Sequence, residues 1–146
     1  ERLQAKGYQN LIGIDVVQSA VDETLTKFKG HVILMDGHAT DFFDNQFDVI
    51  VMSHVLEHSP IPIALLRETK RILKPDGMVF IEIPLQKESN PEDAHYSTWE
   101  TKEEFNDFIQ RQDYFIIEGK QGYDRVDDRE VGGKEGHYYV ICRVKK

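Results

Sequence analysis

The chain has 146 residues, of which 40% are hydrophobic and 30% charged, with a formal net charge of −8. That length suits one domain with a buried core, and no apolar run approaches the ~20 residues needed to cross a bilayer. The acidic balance excludes an extended phosphate-tracking surface, and the lone Cys142 excludes an internal disulfide or a Cys-based zinc cluster. A single cytoplasmic domain spanning 1–146, with neither a nucleic-acid partner nor a membrane, is expected.

Residues 1–6 read as the last turns of a helix stopped by Gly7. Leu11 to Ile14 is a short apolar strand ending at Asp15. Ser19 is placed to cap a helix whose Val21, Leu25 and Phe28 share one face, and Gly30 ends it. Val32 to Met35 is a second apolar strand, again followed by an acid, Asp36. A polar turn through Asp44 and Asn45 leads to a third strand, Phe47 to Met52.

After Pro60 and Pro62, a helix is expected with Leu65, Leu66, Ile72 and Leu73 buried and the charges of 67–71 facing solvent. Lys74-Pro75-Asp76-Gly77 reads as a turn, and Met78 to Pro84 as a fourth strand. Residues 85–98 are polar and irregular. Thr101 to Glu104 forms a capping box for a helix that buries Phe105, Phe108 and Ile109. Tyr114–Ile117 and Tyr138–Val144 are the last strands, with a mobile Gly-rich loop expected over 119–136. Strands that alternate with helices and are nearly continuously apolar specify an α/β fold, its mostly parallel sheet covered on both faces.

Asp15 and Asp36 each end a strand at one sheet edge. A carboxylate there can accept from ribose hydroxyls, or it can simply precede a helix whose dipole favours an acid. For Asp36 a turn-forming Asp-Gly pair is the plain alternative to a contact with an adenine amino group, with the Gly37 amide donating to a ring nitrogen.

The ordered stretches Asp36, Asp44 to Ile50, His54 to His58 and Leu66 to Gly77 together resemble the class I S-adenosylmethionine-dependent methyltransferases. The resemblance is strongest to the type 11 branch that methylates quinones, sugars and similar small molecules. It covers most of the chain, including His95, Trp99 and the Thr101 helix start. It implies a Rossmann-like doubly wound, mostly parallel sheet with an antiparallel terminal strand. It also implies S-adenosylmethionine as cofactor, a small-molecule acceptor, and cofactor-binding candidates Asp15, Val16, Asp36, Gly37, Ser53 and His54.

Two features depart from the family pattern. Asp76 stands where the family carries Gly, which a turn tolerates. The family's first strand and Gly-x-Gly-x-Gly loop have no counterpart here, so an N-terminally incomplete chain is expected, with the strands at 11–14 and 47–52 each left with an unpaired edge. The alternative of a noncatalytic remnant or interaction module follows from that absence.

His54-Val55-Leu56-Glu57-His58 also satisfies H-x-x-E-H, an inverted zinc-protease signature. That chemistry needs both imidazoles on one face of a helix, and Ser59-Pro60-Ile61-Pro62 interrupts any long helix there. No metal site is therefore expected. His58 and His95 are the candidate general bases, because imidazole titrates near neutral pH. His58 as a hydrogen-bonded fixture of the strand-to-helix turn is the competing reading. His31 and His137, at strand starts, read as structural or solvated.

Overall fold

A computed structural model describes residues 6–8, 10–27, 30–86, 95–123 and 136–144. The expected helix at 1–6 and the side chain of Phe28 fall largely or wholly outside these residues. The elements in chain order are β1 (Ile12–Asp15), α1 (Gln18–Lys27), β2 (His31–Leu34), β3 (Phe47–Ser53), α2 (Pro62–Ile72), β4 (Leu73–Leu85), α3 (Lys102–Arg111), β5 (Tyr114–Tyr123) and β6 (Gly136–Val144). They fall into two compact units, Glu1–Asp41 and Phe42–Lys146.

In the first unit β1 and β2 pair in parallel, Ile12 opposite His31 through Asp15 opposite Leu34. The helix between them supplies the crossover that parallel strands require. It begins at Gln18, so Ser19 lies inside it and does not cap it. Asp15 performs the local capping instead, its Oδ1 accepting from the Val17 amide at 2.9 Å. Val21 is buried as expected, whereas Leu25 is exposed, because the short two-stranded sheet offers only a narrow face to cover.

The second unit has four strands in the order β3-β4-β6-β5, with β3 parallel to β4 and β6 antiparallel to both its neighbours. Strand alternation divides its faces. Val79, Ile81 and Ile83 of β4 and Tyr138, Val140 and Cys142 of β6 point into one core. Leu65 and Leu66 of α2, Phe105 and Ile109 of α3, Leu56 and Trp99 complete it. Burying each large side chain stabilises the fold by roughly 1.5–3 kcal/mol. Thr101 caps α3 as expected, accepting from the Glu104 amide, while Glu104 reaches back to the Glu100 amide.

Two expectations are corrected. Lys74 to Gly77 does not break the chain out of the sheet; it belongs to the 13-residue strand β4. The turn residues show instead as an irregularity: Phe47 faces Leu73 but Val49 already faces Met78, so extra β4 residues bow out of the ladder. Likewise, the loop expected over 119–136 is strand at both ends, since 119–123 pair with β6 and Gly136 with β5. Residues 124–135 lie outside the described residues. Backbone pairing with a complete neighbour strand outweighs the weak strand propensity of Gly and Lys there.

The segment from Asp44 to Asp48 is strapped to the end of α2. Arg71 binds Glu68 at 2.6 Å and Asp44 at 2.7 Å, Lys74 binds Asp48 at 2.8 Å, and the Asn45 and Gln46 amides donate to the Arg71 and Ile72 carbonyls. The two carboxylates hold the Arg71 guanidinium above its ordinary pKa. The charged face at 67–71 is thus partly exposed and partly engaged: Arg67 is exposed, and Lys70 pairs with Asp113. Among the described residues, β1 hydrogen-bonds to no strand but β2, and β3 to none but β4, so each has one open edge.

Candidate active site

In the first unit the carboxyl ends of β1 and β2 carry the two acids. The Met35 amide donates to the Asp15 carbonyl at 2.9 Å, which extends the ladder to the point where Asp36 follows. Asp36 Oδ1 accepts from both the backbone amide of His38, at 2.9 Å, and its ring Nδ1, at 2.7 Å. The backbone hydrogen bond, then the ring, hold the Asp36 carboxyl below its ordinary pKa. Asp15 and Asp36 are exposed, as is Val16, and Gly37 is half-buried. His38 was not singled out from sequence; its spacing of two residues after an acid was the available signal.

In the second unit Ser53 ends β3 opposite Glu82 of β4. Its hydroxyl donates to Glu82 Oε2 at 2.6 Å, and the next amide, of His54, donates to the Glu82 carbonyl at 3.0 Å. His54 is left-handed, with φ 54°, an uncommon conformation for a residue bearing a Cβ. Its ring Nδ1 lies 3.1 Å from Oε1 of Glu57, a carboxylate that is 1% exposed. On the other side the His54 ring meets His137 edge to face, centroids 4.8 Å apart.

His58 and His95 come together across the chain, their centroids 4.7 Å apart. The Glu57 carbonyl accepts from the amides of Tyr96 and Ser97, which brings the 95–97 segment against the turn after β3. Gln86 Nε2 hydrogen-bonds His95 Nδ1.

No helix forms over His54 to His58; the segment turns, the His58 amide donating to the Val55 carbonyl and the Ser59 amide to the Leu56 carbonyl. The two imidazoles of the H-x-x-E-H sequence therefore part company. His54 groups with Glu82 and His137, whereas His58 groups with Glu57 and His95, the ligand-type atoms in each group lying within 4.8 Å of one another. The protease-type zinc arrangement is absent here. Glu82 and His137 were not singled out as site residues, because nothing in their local sequence shows that separate strands bring them to one edge; Glu57 was visible only as the acid of the H-x-x-E-H pattern.

Residues 1–81 match the family described as a methyltransferase domain, more than half of the 146-residue chain. The chain belongs to that family, the type 11 branch of the class I S-adenosylmethionine-dependent methyltransferases. The methyltransferase domain is 34% identical over 86 residues to a ubiquinone biosynthesis O-methyltransferase of Actinobacillus pleuropneumoniae, covering 52% of this chain and 37% of that protein. It is 36% identical over 72 residues to a demethylmenaquinone methyltransferase of Staphylococcus carnosus, covering 47% and 30%. The match thus spans about a third of the length of these two relatives, 37% and 30%.

The fold is shared over nearly the whole chain. The crystal structure of a SAM-dependent methyltransferase from Methanosarcina mazei aligns with a TM-score of 0.75 at 18% identity, covering 99% of this chain and 85% of that one. The methyltransferase domain therefore has the Rossmann-like fold expected from its sequence, with its last strand, β6, inserted antiparallel between β4 and β5. Among the described residues, no helix is long and apolar enough to cross a membrane.

Proposed function

We propose that this methyltransferase domain serves methyl transfer from S-adenosylmethionine to a small-molecule acceptor. The carrying observation is the pair of exposed carboxylates, Asp15 and Asp36, at the carboxyl ends of two adjacent parallel strands. Ionised carboxylates only accept hydrogen bonds, and a nucleoside presents donors in its ribose hydroxyls and adenine amino group. This pair of acceptors therefore fits the nucleoside half of the cofactor. Asp15 and Val16 serve the ribose side, and Asp36 and Gly37 the base, with His38 fixing the orientation of the Asp36 carboxylate.

When bound, S-adenosylmethionine supplies a methyl group already activated by its sulfonium. The protein's task is then chiefly alignment and exclusion of water. Ser53 and His54, at the tip of β3, are assigned to the reacting end of the cofactor. His58 and His95 are assigned as the bases that take a proton from an acceptor hydroxyl, a role their 4.7 Å ring separation allows them to share. The quinone-related names of both curated relatives support a small cyclic acceptor of that kind.

Calorimetric titration of the full-length protein with S-adenosylhomocysteine tests this reading. One equivalent should bind, and Asp15→Ala should weaken binding by about tenfold or more, since a hydrogen bond to a charged group is worth roughly 1.5–3 kcal/mol. Failure to bind, or binding indifferent to Asp15→Ala, rejects the assignment in favour of a noncatalytic domain.

A further inference from the structure

We propose that His54, Glu82 and His137 form a binding site for a divalent transition-metal ion, zinc by the chemistry of the ligands, at the carboxyl edge of the β3–β4 pair. This departs from the sequence expectation of no metal, and it uses a ligand set different from the H-x-x-E-H pattern.

The three groups come from neighbouring strands in fixed register. Ser53 pairs with Glu82 and leads into His54, while Pro84 of β4 pairs with His137 of β6. Glu82 and Pro84 lie on one face of β4, and His137 on the matching face of β6, opposite the core. Their ligand-type atoms already lie within 4.8 Å of one another. A tetrahedral ion about 2.0–2.2 Å from each ligand holds them roughly 3.3–3.6 Å apart, so side-chain torsions that draw the atoms together by up to about 1.5 Å close the set. Two imidazole nitrogens and one carboxylate suit zinc and its first-row neighbours, and three protein ligands leave a position for water or an oxygen of a bound molecule.

The surroundings orient the ligands as metal sites require. A ligating imidazole commonly gives its other nitrogen to a carboxylate, which fixes tautomer and ring direction. His54 has that partner: its Nδ1 lies 3.1 Å from Oε1 of buried Glu57, an arrangement in which a proton on Nδ1 leaves the Nε2 lone pair to an ion. Glu82 is steadied by the Ser53 hydroxyl at 2.6 Å. The left-handed backbone at His54, pinned by its amide to the Glu82 carbonyl, stores strain where a functional constraint would account for it. Sheet positions hold such geometry better than loops do.

The test is titration of the chelator-stripped full-length protein with Zn²⁺ alone, in competition with a chromophoric chelator, and with Co²⁺ read by its visible spectrum. One equivalent should bind, and bound Co²⁺ should show the intense bands of a low-coordinate site. His137→Ala should weaken Zn²⁺ binding at least about tenfold, Glu57→Gln by about 10–100-fold through His54, and His95→Ala not at all. Thermal melts of each variant establish that it is folded. Should Glu57→Gln fail to fold, the comparison of His137→Ala with His95→Ala decides alone. The proposal is overturned by absence of stoichiometric Zn²⁺ binding, by loss of binding in His95→Ala, or by full binding in His137→Ala. Because the readout is metal affinity, its failure leaves the methyl-transfer reading standing with His54 at the cofactor, whereas Zn²⁺ binding that depends on His137 reassigns His54 to the metal and leaves the Asp15 and Asp36 assignments untouched.

Discussion

Asp36 Oδ1 takes two hydrogen bonds from a single residue, His38, through its amide at 2.9 Å and its ring at 2.7 Å. An exposed acid is thereby held in one orientation with its pKa lowered. Because the folded pKa is depressed, the associated stability is present above the unfolded value and lost as pH falls through the folded one. His38→Ala removes the ring but keeps the backbone amide, so the Asp36 carboxyl should rise part of the way back towards 3.8, and the stability lost on acidification should shrink. Carbon-detected NMR titration of Asp36 in both proteins measures this; an unchanged midpoint would show that the His38 ring does not help to set its ionisation.

The His58–His95 pair makes a kinetic prediction. If either ring accepts the acceptor's proton, its replacement should lower kcat by about 10²-fold or more and flatten the acidic limb of the pH profile. His58→Gln and His95→Gln are the variants to compare. A turnover that keeps its wild-type pH dependence in both would assign the rings to structure, as fixtures of the turn after β3.

Gly77 makes a packing prediction. A Cβ built there would lie 2.8 Å from Cγ and Cδ1 of Leu73, a residue 2% exposed, and 3.0 Å from the Asp48 carbonyl oxygen. Gly77→Ala should therefore destabilise the protein by about 1–3 kcal/mol, the usual cost of overpacking. Urea unfolding followed by Trp99 fluorescence would detect it, and an unaltered midpoint would mean that the β3–β4 irregularity yields freely.

Burial pushes the Cys142 thiol up from 9.0 to about 12. Its folded pKa exceeds its unfolded one, so the corresponding stability is complete below pH 9 and is lost as pH rises towards 12. The native thiol should resist iodoacetamide at pH 8.5 until the protein unfolds. The stability lost between about pH 9 and 11 should shrink in Cys142→Ala. Rapid alkylation of the native protein would place Cys142 outside the closed core.

What the sequence determined by itself were the elements and the family. Apolar strands ending in Asp15 and Asp36, and the core stripe of Leu65, Leu66 and Ile72, depend on local periodicity, which a single chain displays openly. Part of the family signature is also intelligible as scaffold: Asp44, Asp48, Arg71 and Lys74 are partners in the strap between β3 and the end of α2. Local chemistry misled where long-range pairing outweighed it. Lys74 to Gly77 has turn residues but lies in β4, and 119–123 has loop composition but pairs with β6.

Only the tertiary structure decided which histidines are neighbours. His54 and His58 are four residues apart in sequence yet belong to different groups, because the chain turns between them without forming a helix. His54 instead meets Glu82 and His137, which parallel and antiparallel registers bring to one edge from far along the chain. Spacing reports side-chain proximity only where a regular element fixes the direction of each residue, and the segment after β3 is not such an element.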